Sequence, residues 1–449
     1  MRDEIEYALG IDILAEVASD ERLPSCFAVS ELLGASVSAV GSAASSLVEA
    51  VGLAPSPPTV RVDQRLVSLW SGRSIHPVGW EMPPVWDAVA GDYRTRDGWI
   101  KLHTNLAHHR RAALTVLDTE PDRGLVAQSV AEWEAEALET AIVAAGGVAA
   151  TMRSRDEWAR HPQGAAVATE PLIAWDAERP GSVRWWPGTR DRPLKGLRVL
   201  DLTRVLAGPV ATRTLAGLGA TVLRIDPPDW EEANVVPDVT LGKRCAHLRL
   251  DIPEGKASLE RLLADADVFV HGYRPGALDG LGLGADARRR LKPDLIEVTL
   301  DAYGWTGPWA GRRGFDSLVQ MSCGIAEAGM TWAGRAEPTP LPVQALDHAT
   351  GYLMAAAVLA ALDKSARGNG INSARLSLAR TGDLLARHRS AVVGALGLQP
   401  EAADLSPVTE RTPWGDARRL RPPLDVAGTT VAWDSPAVEL GAMSATWSD

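Results

Sequence analysis

The 449-residue sequence predicts an α/β protein in which a doubly wound parallel sheet is joined to a smaller α+β domain. Two observations predict this class. Short apolar runs alternate with helical segments after residue 196, whereas the first 175 residues mix helices with strand-like runs. A proline-, glycine- and tryptophan-rich stretch at 176–196 lacks periodicity, which is typical of a linker. We therefore expect a small domain at 1–175 and a large Rossmann-like domain at 197–449.

The second half contains buried-strand patterns separated by helices. We predict strands at 197–203, 220–226, 266–272 and 294–300, and helices at 209–217, 253–264 and 285–291. Such units form right-handed βαβ crossovers, and ligands bind at the carboxyl ends of their strands. Those ends fall at 204–209, 272–276 and 301–307.

The first half has a small-residue helix at 29–50 and a strand-like run at 60–70. Asp97-Gly98 between two further strand-like runs predicts a hairpin, and helices follow at 106–117 and 126–145. Residues 25–70 also resemble residues 343–385. One interpretation is that residues 25–70 are a degenerate repeat of that segment. The other is chance, since alanine-rich helices resemble one another by composition alone.

The composition of the chain argues against several classes of function. The net charge of −11 leaves no broad basic surface for nucleic acid or an anionic membrane. The longest apolar stretch, 351–362, is shorter than the roughly 18 residues of a membrane helix, and no signal peptide is indicated. Three scattered cysteines signal neither disulfides nor zinc. We expect a cytoplasmic protein without a membrane or nucleic-acid partner.

Several common catalytic motifs are missing from the sequence. No GxGxxG follows the strand at 197–203, and no GxSxG elbow occurs. His103, His108 and His109 lack a carboxylate or cysteine at ligand spacing, so we interpret them as a solvated face and expect no metal site.

Asp347 is the most informative residue. It lies in LDHATG, immediately before a strongly helical apolar run, and therefore near a helix N-terminus. One interpretation is a structural helix cap, worth about 1 kcal/mol. The other is a nucleophile, because the N–H groups of a helix end stabilise an ionised carboxylate.

Four segments decide between these interpretations: LKGLRVLDLTRVLAGPVATRTLAGLGATVLRIDPP, GKRCAHLRLDIPEGKASLERLLADADVFVHGYRPGALDGLGLG, DAYGWTGPWAGRRGFDSLVQ and LPVQALDHATGYLMAAAVLAAL. In order and spacing they resemble the large domain of the class III (CaiB/BaiF) CoA-transferases over about 190–385. GDYRTRDGWIKLHT and the residues after it look like that family's small domain. Here the small-domain-like half comes first, and in the predicted repeat Glu31 takes the position of Asp347.

The resemblance implies an acyl-CoA:carboxylate CoA-transferase with Asp347 as covalent nucleophile. It implies that coenzyme A thioester is a substrate, that no cofactor is permanently bound, that a free carboxylate is the second substrate, and that the protein is a homodimer. Eleven residues match the family's CoA contacts by position, Arg274 and Arg313 being the best candidates for phosphate: Val205, Leu206, Ala207, Leu248, Gly272, Tyr273, Arg274, Arg312, Arg313, Gly314 and Phe315.

Two alternatives stay open. Racemases of 2-methylacyl-CoA share the fold, but they use a histidine at the position of Phe315, and phenylalanine cannot move a proton. His348 and Asp316 are then the nearby candidates for a second acid or base. A non-catalytic CoA-binding homologue is the other alternative.

Overall fold

The computed structural model describes residues 1–19, 21–392 and 398–447. Its strands are β1 (Glu16–Ala18), β2 (Ser25–Phe27), β3 (Val60–Asp63), β4 (Ile75–Pro77), β5 (Gly91–Arg94), β6 (Trp99–Leu102), β7 (Ala149–Thr151), β8 (Ala174–Trp175), β9 (Arg198–Leu202), β10 (Thr221–Asp226), β11 (Lys243–His247), β12 (Val268–His271), β13 (Ile296–Asp301), β14 (Ala374–Ser377), β15 (Arg389–Val392), β16 (Leu405–Thr412), β17 (Gly415–Leu420) and β18 (Leu424–Val426). Its helices are α1 (Arg2–Leu9), α2 (Val29–Ala50), α3 (Gln64–Trp70), α4 (Ala107–Leu117), α5 (Arg123–Ala131), α6 (Ala135–Ala144), α7 (Arg155–Arg160), α8 (Pro162–Thr169), α9 (Ala207–Gly217), α10 (Val236–Val239), α11 (Pro253–Ala264), α12 (Ala277–Gly280), α13 (Ala285–Leu291), α14 (Asp316–Ser322), α15 (Ile325–Ala333), α16 (Ala345–Ala366) and α17 (Leu378–Ala386), with a 3₁₀ turn at Ala402–Asp404.

A seven-stranded sheet organises the large domain. Its order is β11-β10-β9-β12-β13-β14-β8, and every pairing is parallel except that of β14 with β8. Because β9 lies between β10 and β12, the chain winds outwards in both directions from β9. The predicted doubly wound parallel sheet is confirmed, and a crevice for ligands is expected beside β9.

The sheet has an apolar core on each face. On one face, Val199, Val270 and Val298 pack with the helix pair α9 and α16. On the other, Leu200 and Phe269 pack against α11. Residues alternate between the two faces of a strand, so continuous apolar runs such as VFV are what a strand buried on both faces requires.

The helix α16 is buried along almost its whole length and packs between α9 and α2. Alanine favours helix, and its small side chain lets helices approach closely. At Gly351 the approach is closest, since an added Cβ would lie 2.4 Å from the carbonyl oxygen of Ala207. This contact brings the first turn of α16 to the loop that follows β9.

The helix α2 lies parallel to α16. Ser46 donates to Asp363 at 2.9 Å, and Glu49 pairs with Arg367 at 2.6 Å, so equivalent turns of the two helices face each other. Each helix has 22 residues and is followed by a short strand that leads directly into a helix. The residues before the two helices, Ala28 and Gln344, also have matching backbone angles, with φ −75° and −74°.

A three-stranded antiparallel sheet, β5-β6-β7, forms a separate layer with α4, α5 and α6. The predicted hairpin is present here, because β5 and β6 pair across the turn that contains Asp97 and Gly98. The core does not divide where the linker was predicted. Residues of α1, α2 and β3 share one apolar cluster with the large sheet, so of the predicted 1–175 domain mainly residues 89–151 pack as a unit of their own.

Two local predictions were wrong. The run 60–70 is a strand only to Asp63, whose side chain accepts the N–H of Leu66 at 3.1 Å and so starts α3. The helix expected at 126–145 is two helices, with a break at 132–134 where Trp133 donates its N–H to the carbonyl oxygen of Val130.

Two helices of the described chain, α2 and α16, are long and apolar enough to cross a bilayer. They are buried to 83% and 100% over their most apolar windows, as core helices are.

Candidate active site

A cavity of about 460 Å³ opens at the carboxyl ends of β9, β12 and β13, beside the point where the strand order reverses. We call it the main cavity. It is lined by Leu106, His108, His109, Leu202, Thr203, Arg204, Val205, Leu206, Ala207, Gly208, Trp230, Gly272, Tyr273, Arg274, Ala277, Leu300, Asp301, Ala302, Arg312, Arg313, Gly314, Phe315, Asp347 and Leu378. Its position is that of ligand sites in doubly wound sheets, and its volume suits a substrate of substantial size.

Asp347 is the third residue of α16 and lies in the wall of the main cavity, with 8% of its surface exposed. Within the described residues its carboxylate accepts no hydrogen bond, so the side chain does not cap its own helix. The structural interpretation of Asp347 as a helix cap is therefore not supported. An unpartnered carboxylate against a cavity can instead react with, or bind, what enters it.

Asp316, the first residue of α14, accepts the backbone N–H of Asp347 at 2.9 Å and a hydrogen bond from the amide of Gln320. Burial raises the pKa of Asp316 to about 6. Burial and then the charge of Asp316 raise the pKa of Asp347 well above its usual range. The two carboxyl groups are thus coupled, and ionising both at once is disfavoured.

The loop after β9 is strained. Val205 has φ +65°, a left-handed conformation that is unusual for a β-branched residue, and its N–H donates to Glu232 at 2.8 Å. Gly208 lets the first turn of α9 approach Thr203, since an added Cβ would lie 2.4 Å from the Thr203 side chain. Strain of this kind concentrates at functional sites.

Three of the four arginines that line the main cavity, Arg274, Arg312 and Arg313, differ in whether they are free to bind an anion. Arg312 is already paired with Glu139 at 2.9 Å and stacks 3.9 Å from the Trp309 ring centroid. Arg274 and Arg313 are exposed and form no ion pair with a described carboxylate. Partial burial and then the charge of Arg274 lower the pKa of Arg313, so the two cations lie close enough to repel. An anion between them would relieve that repulsion.

All but one of the predicted contact residues line the main cavity. The exception is Leu248, which follows the edge strand β11 and packs its side chain against the core cluster around Phe269. Since β11 is two strands away from β9, its end does not reach the main cavity.

The histidine prediction needs correction. Only His108 is exposed; His103 and His109 are buried, and both place their rings against Phe315, at 4.0 and 5.9 Å between centroids. Burial lowers the pKa of His109 to about 3, so its imidazole is neutral. The contact of His109 with Phe315 joins α4 to the residue before α14, which are distant in sequence, and no local pattern in HTNLAHHRR indicated it.

Two further residues of the main cavity were missed. Trp230 stacks on Arg204, with the guanidinium carbon 4.2 Å from the ring centroid. Asp301 ends β13 and accepts the N–H of Gly304 at 2.8 Å, while its second oxygen has no described partner. Burial raises the pKa of Asp301 to about 7. Its place at a strand end was the only signal available in the sequence.

His348, by contrast, faces away from the main cavity. Burial lowers its pKa to about 3, and its charged neighbours are Arg213 and Asp238. Among the described residues no group of three His, Cys, Asp or Glu side chains could hold a metal ion.

Residues 194–389 match the sequence pattern of CoA-transferase family III. The acetyl-coenzyme A transferase nodX of Hypoxylon pulicicidum is 39% identical over 197 residues, which are 41% of this chain and 33% of that protein. The human succinyl-CoA:glutarate CoA-transferase is 33% identical, over 40% of this chain and 44% of that one. A crystal structure of a hypothetical protein from Mycobacterium tuberculosis is 35% identical with a TM-score of 0.40, covering 44% of this chain and 57% of that one. The chain thus spans between a third and about half of the length of these curated relatives.

Proposed function

We propose that this chain, whose residues 194–389 match CoA-transferase family III, is an acyl-CoA:carboxylate CoA-transferase with Asp347 as covalent nucleophile. One observation carries the proposal: the Asp347 carboxylate lies unpartnered in the wall of the main cavity, at the start of a buried helix. The amino end of a helix favours the carboxylate form that must attack, but burial and the charge of Asp316 outweigh this effect and raise the pKa of Asp347.

The covalent steps follow from the chemistry of carboxylates. An Asp347 oxygen attacks the thioester carbonyl, and the carbon–sulfur bond breaks with its electron pair leaving on the CoA thiolate. The mixed anhydride is then attacked at the Asp347 carbonyl by that thiolate, which releases the donor acid and leaves an aspartyl-CoA thioester. An acceptor carboxylate takes the CoA through a second anhydride. Each step exchanges one acyl bond for another, so no ATP is needed.

The binding roles are assigned by chemistry. Arg274 and Arg313 offer charge-assisted hydrogen bonds to phosphate oxygens, for which they have no competing described carboxylate. The loop Val205–Ala207 borders the main cavity beside Asp347 and would position the thioester. Arg312 would act indirectly, because its pairing with Glu139 ties the layer of β5–β7 to the main cavity.

The position of His109 favours a second candidate function. A 2-methylacyl-CoA racemase needs a proton acceptor and donor at the carbon next to the thioester. His109 and Asp347 both line the main cavity, so an imidazole is present beside Phe315, but burial lowers the pKa of His109 to about 3 and makes it a weak proton acceptor. Non-catalytic CoA binding is the remaining alternative.

The proposal includes a cytoplasmic homodimer, as the resemblance implies. Sedimentation should then give twice the chain mass of 47.8 kDa.

The decisive experiment is covalent capture. After incubation with an acyl-CoA and hydroxylamine, peptide mass spectrometry should find Asp347 as a hydroxamate. Asp347→Asn should lower the transfer rate by about 1,000-fold or more while calorimetry still shows CoA binding. A variant that keeps more than a few per cent of the rate would disprove the covalent role, and no CoA binding by the natural chain would disprove the proposed function.

The same incubation in heavy water separates the two candidates. Transfer predicts label from an added free carboxylate in the CoA ester pool and no deuterium at the alpha carbon. Deuterium without carboxylate exchange would favour the racemase.

A further inference from the structure

A second cavity, of about 210 Å³, adjoins the main cavity. We call it the side cavity. Tyr273 and Arg274 line both cavities, and the side cavity extends from them past the carboxyl end of β12, the middle of β13 and the start of β14. None of the steps proposed for Asp347 uses it, since Asp347 does not line it.

A row of polar side chains forms one wall. His271, Thr299 and Arg375 are register partners on three neighbouring parallel strands, so their side chains lie side by side on one face of the sheet. The preceding residues Val270, Val298 and Ala374 turn to the other face and join the apolar core. A parallel sheet covered by helices is normally apolar on both faces, and the polar row is therefore a departure that packing does not require.

Two members of this row are buried without partners. His271 and Thr299 are each 7% exposed, and neither ring nitrogen of His271 nor the Thr299 hydroxyl has a described hydrogen-bond partner. Burial lowers the pKa of His271 to about 3, so the neutral ring offers one N–H donor. Buried polar groups are nearly always satisfied, and in a polar cavity a ligand can supply the partner.

The charges of the side cavity favour an anion. Arg288 is neutralised by Glu297 at 2.7 Å. Arg289 and Arg375 both contact Asp176, at 3.3 and 3.7 Å, and Arg289 also lies 3.8 Å from Asp286. Arg274 has no described carboxylate partner. The side cavity is lined by four arginines and by three carboxylates, Asp176, Asp279 and Glu297, which leaves one positive charge in excess.

We propose that the side cavity binds an oxyanion group, a phosphate or a carboxylate, held by Thr299, His271 and the arginines Arg289 and Arg375. Its volume is below the roughly 300 Å³ at which pockets for whole drug-sized ligands begin, so it suits a small ion or one end of a larger molecule. Guanidinium groups bind both kinds of oxyanion in the same forked geometry. The source is either a phosphate of CoA or the distal carboxylate of a dicarboxylic substrate.

The test uses inorganic phosphate and succinate as probes, titrated by calorimetry into the full chain. Arg375→Met should weaken binding of at least one probe by about tenfold or more, and Thr299→Val by about two- to tenfold. Thr299→Val changes only the hydroxyl, and circular dichroism checks that each variant is folded. Arg411→Met, an exposed arginine of β16 outside both cavities, is the control and should bind as the natural chain does.

The source is separated by comparing CoA with CoA that lacks its 3′-phosphate. If that phosphate fills the side cavity, Arg375→Met weakens CoA and not the dephosphorylated form. If a substrate carboxylate fills it, Arg375→Met weakens succinate and leaves both forms of CoA unchanged. Either pattern supports the proposal. Equal affinities of all four proteins for phosphate and succinate overturn it, and this outcome is independent of whether Asp347 transfers CoA.

Discussion

At the residue scale, the main feature is the coupling of Asp347 to Asp316. Both carboxyl groups are buried at helix starts, and the backbone N–H of Asp347 lies 2.9 Å from Asp316. Their raised pKa values mean that the folded protein holds protons that the unfolded chain releases. Stability from this pair is therefore largest below pH about 4 and is lost as pH rises through the raised values. The nucleophile thus gains reactivity over a pH range in which the site loses stability.

The pH profile should report this coupling. Asp347 must be ionised to attack, so kcat/KM should rise with pH through its raised pKa. Asp316→Asn removes the neighbouring charge but keeps an acceptor for the N–H of Asp347, and we expect the rising limb to move to lower pH. Burial still raises the pKa of Asp347, so the apparent pKa of the rising limb should stay above about 4. A limb that stays in place would show that Asp316 does not influence the nucleophile.

At the element scale, Gly351 sets the distance between α16 and α9. An added Cβ would lie 2.4 Å from the Ala207 carbonyl oxygen, and a backbone atom cannot rotate away. We expect Gly351→Ala to destabilise the fold by about 1–3 kcal/mol and to lower kcat, because Asp347 moves relative to the loop after β9.

The matched control for this prediction is Gly280→Ala. Gly280 ends α12, and its added Cβ would meet nothing within 4 Å, so stability should change by only about 0.5 kcal/mol. Thermal unfolding and steady-state kinetics measure both variants. Equal effects at the two glycines would argue against the role given to Gly351.

Elements with a complete local pattern were predictable. The helices at 253–264 and 285–291 begin and end as expected, because proline, glycine and apolar spacing agree along them. The prediction of a strand over 60–70 was wrong because its alternating apolar residues are typical of a strand, whereas the cap at Asp63 favours a helix after it. Local patterns also placed Asp347 at a helix start, whereas the contact residues were predicted from the resemblance to the family. Local patterns could not place His109 against Phe315, because that contact depends on how α4 packs against the start of α14, about 200 residues later in the sequence.

At the scale of the whole molecule, α2 and α16 form a matched pair. Glu31 is the third residue of α2, as Asp347 is of α16. The surroundings of the two acids differ, since Glu31 is paired with Arg22, is partly exposed and does not line the main cavity. That residues 25–70 are a degenerate copy of 343–385 stays a prediction, and the shared element order supports it.

This difference predicts opposite outcomes for two equivalent substitutions. Glu31→Gln should leave the transfer rate within about twofold of the natural chain, because it alters only an exposed ion pair worth about 0–1 kcal/mol. Asp347→Asn removes the nucleophile and should lower the transfer rate by about 1,000-fold or more. Assays of both variants at saturating donor measure this. A large loss in Glu31→Gln would mean that the first repeat holds a working site of its own.

The pairing of α2 with α16 also means that every chain contains one supporting helix for each Asp347. The helix that carries Asp347 packs against α2 of the same polypeptide, with Ser46 bonded to Asp363 and Glu49 paired with Arg367. A contact within one chain has an effective concentration that dilution cannot change. The contact between α2 and α16 therefore does not depend on the concentration of the protein or on whether its chains associate.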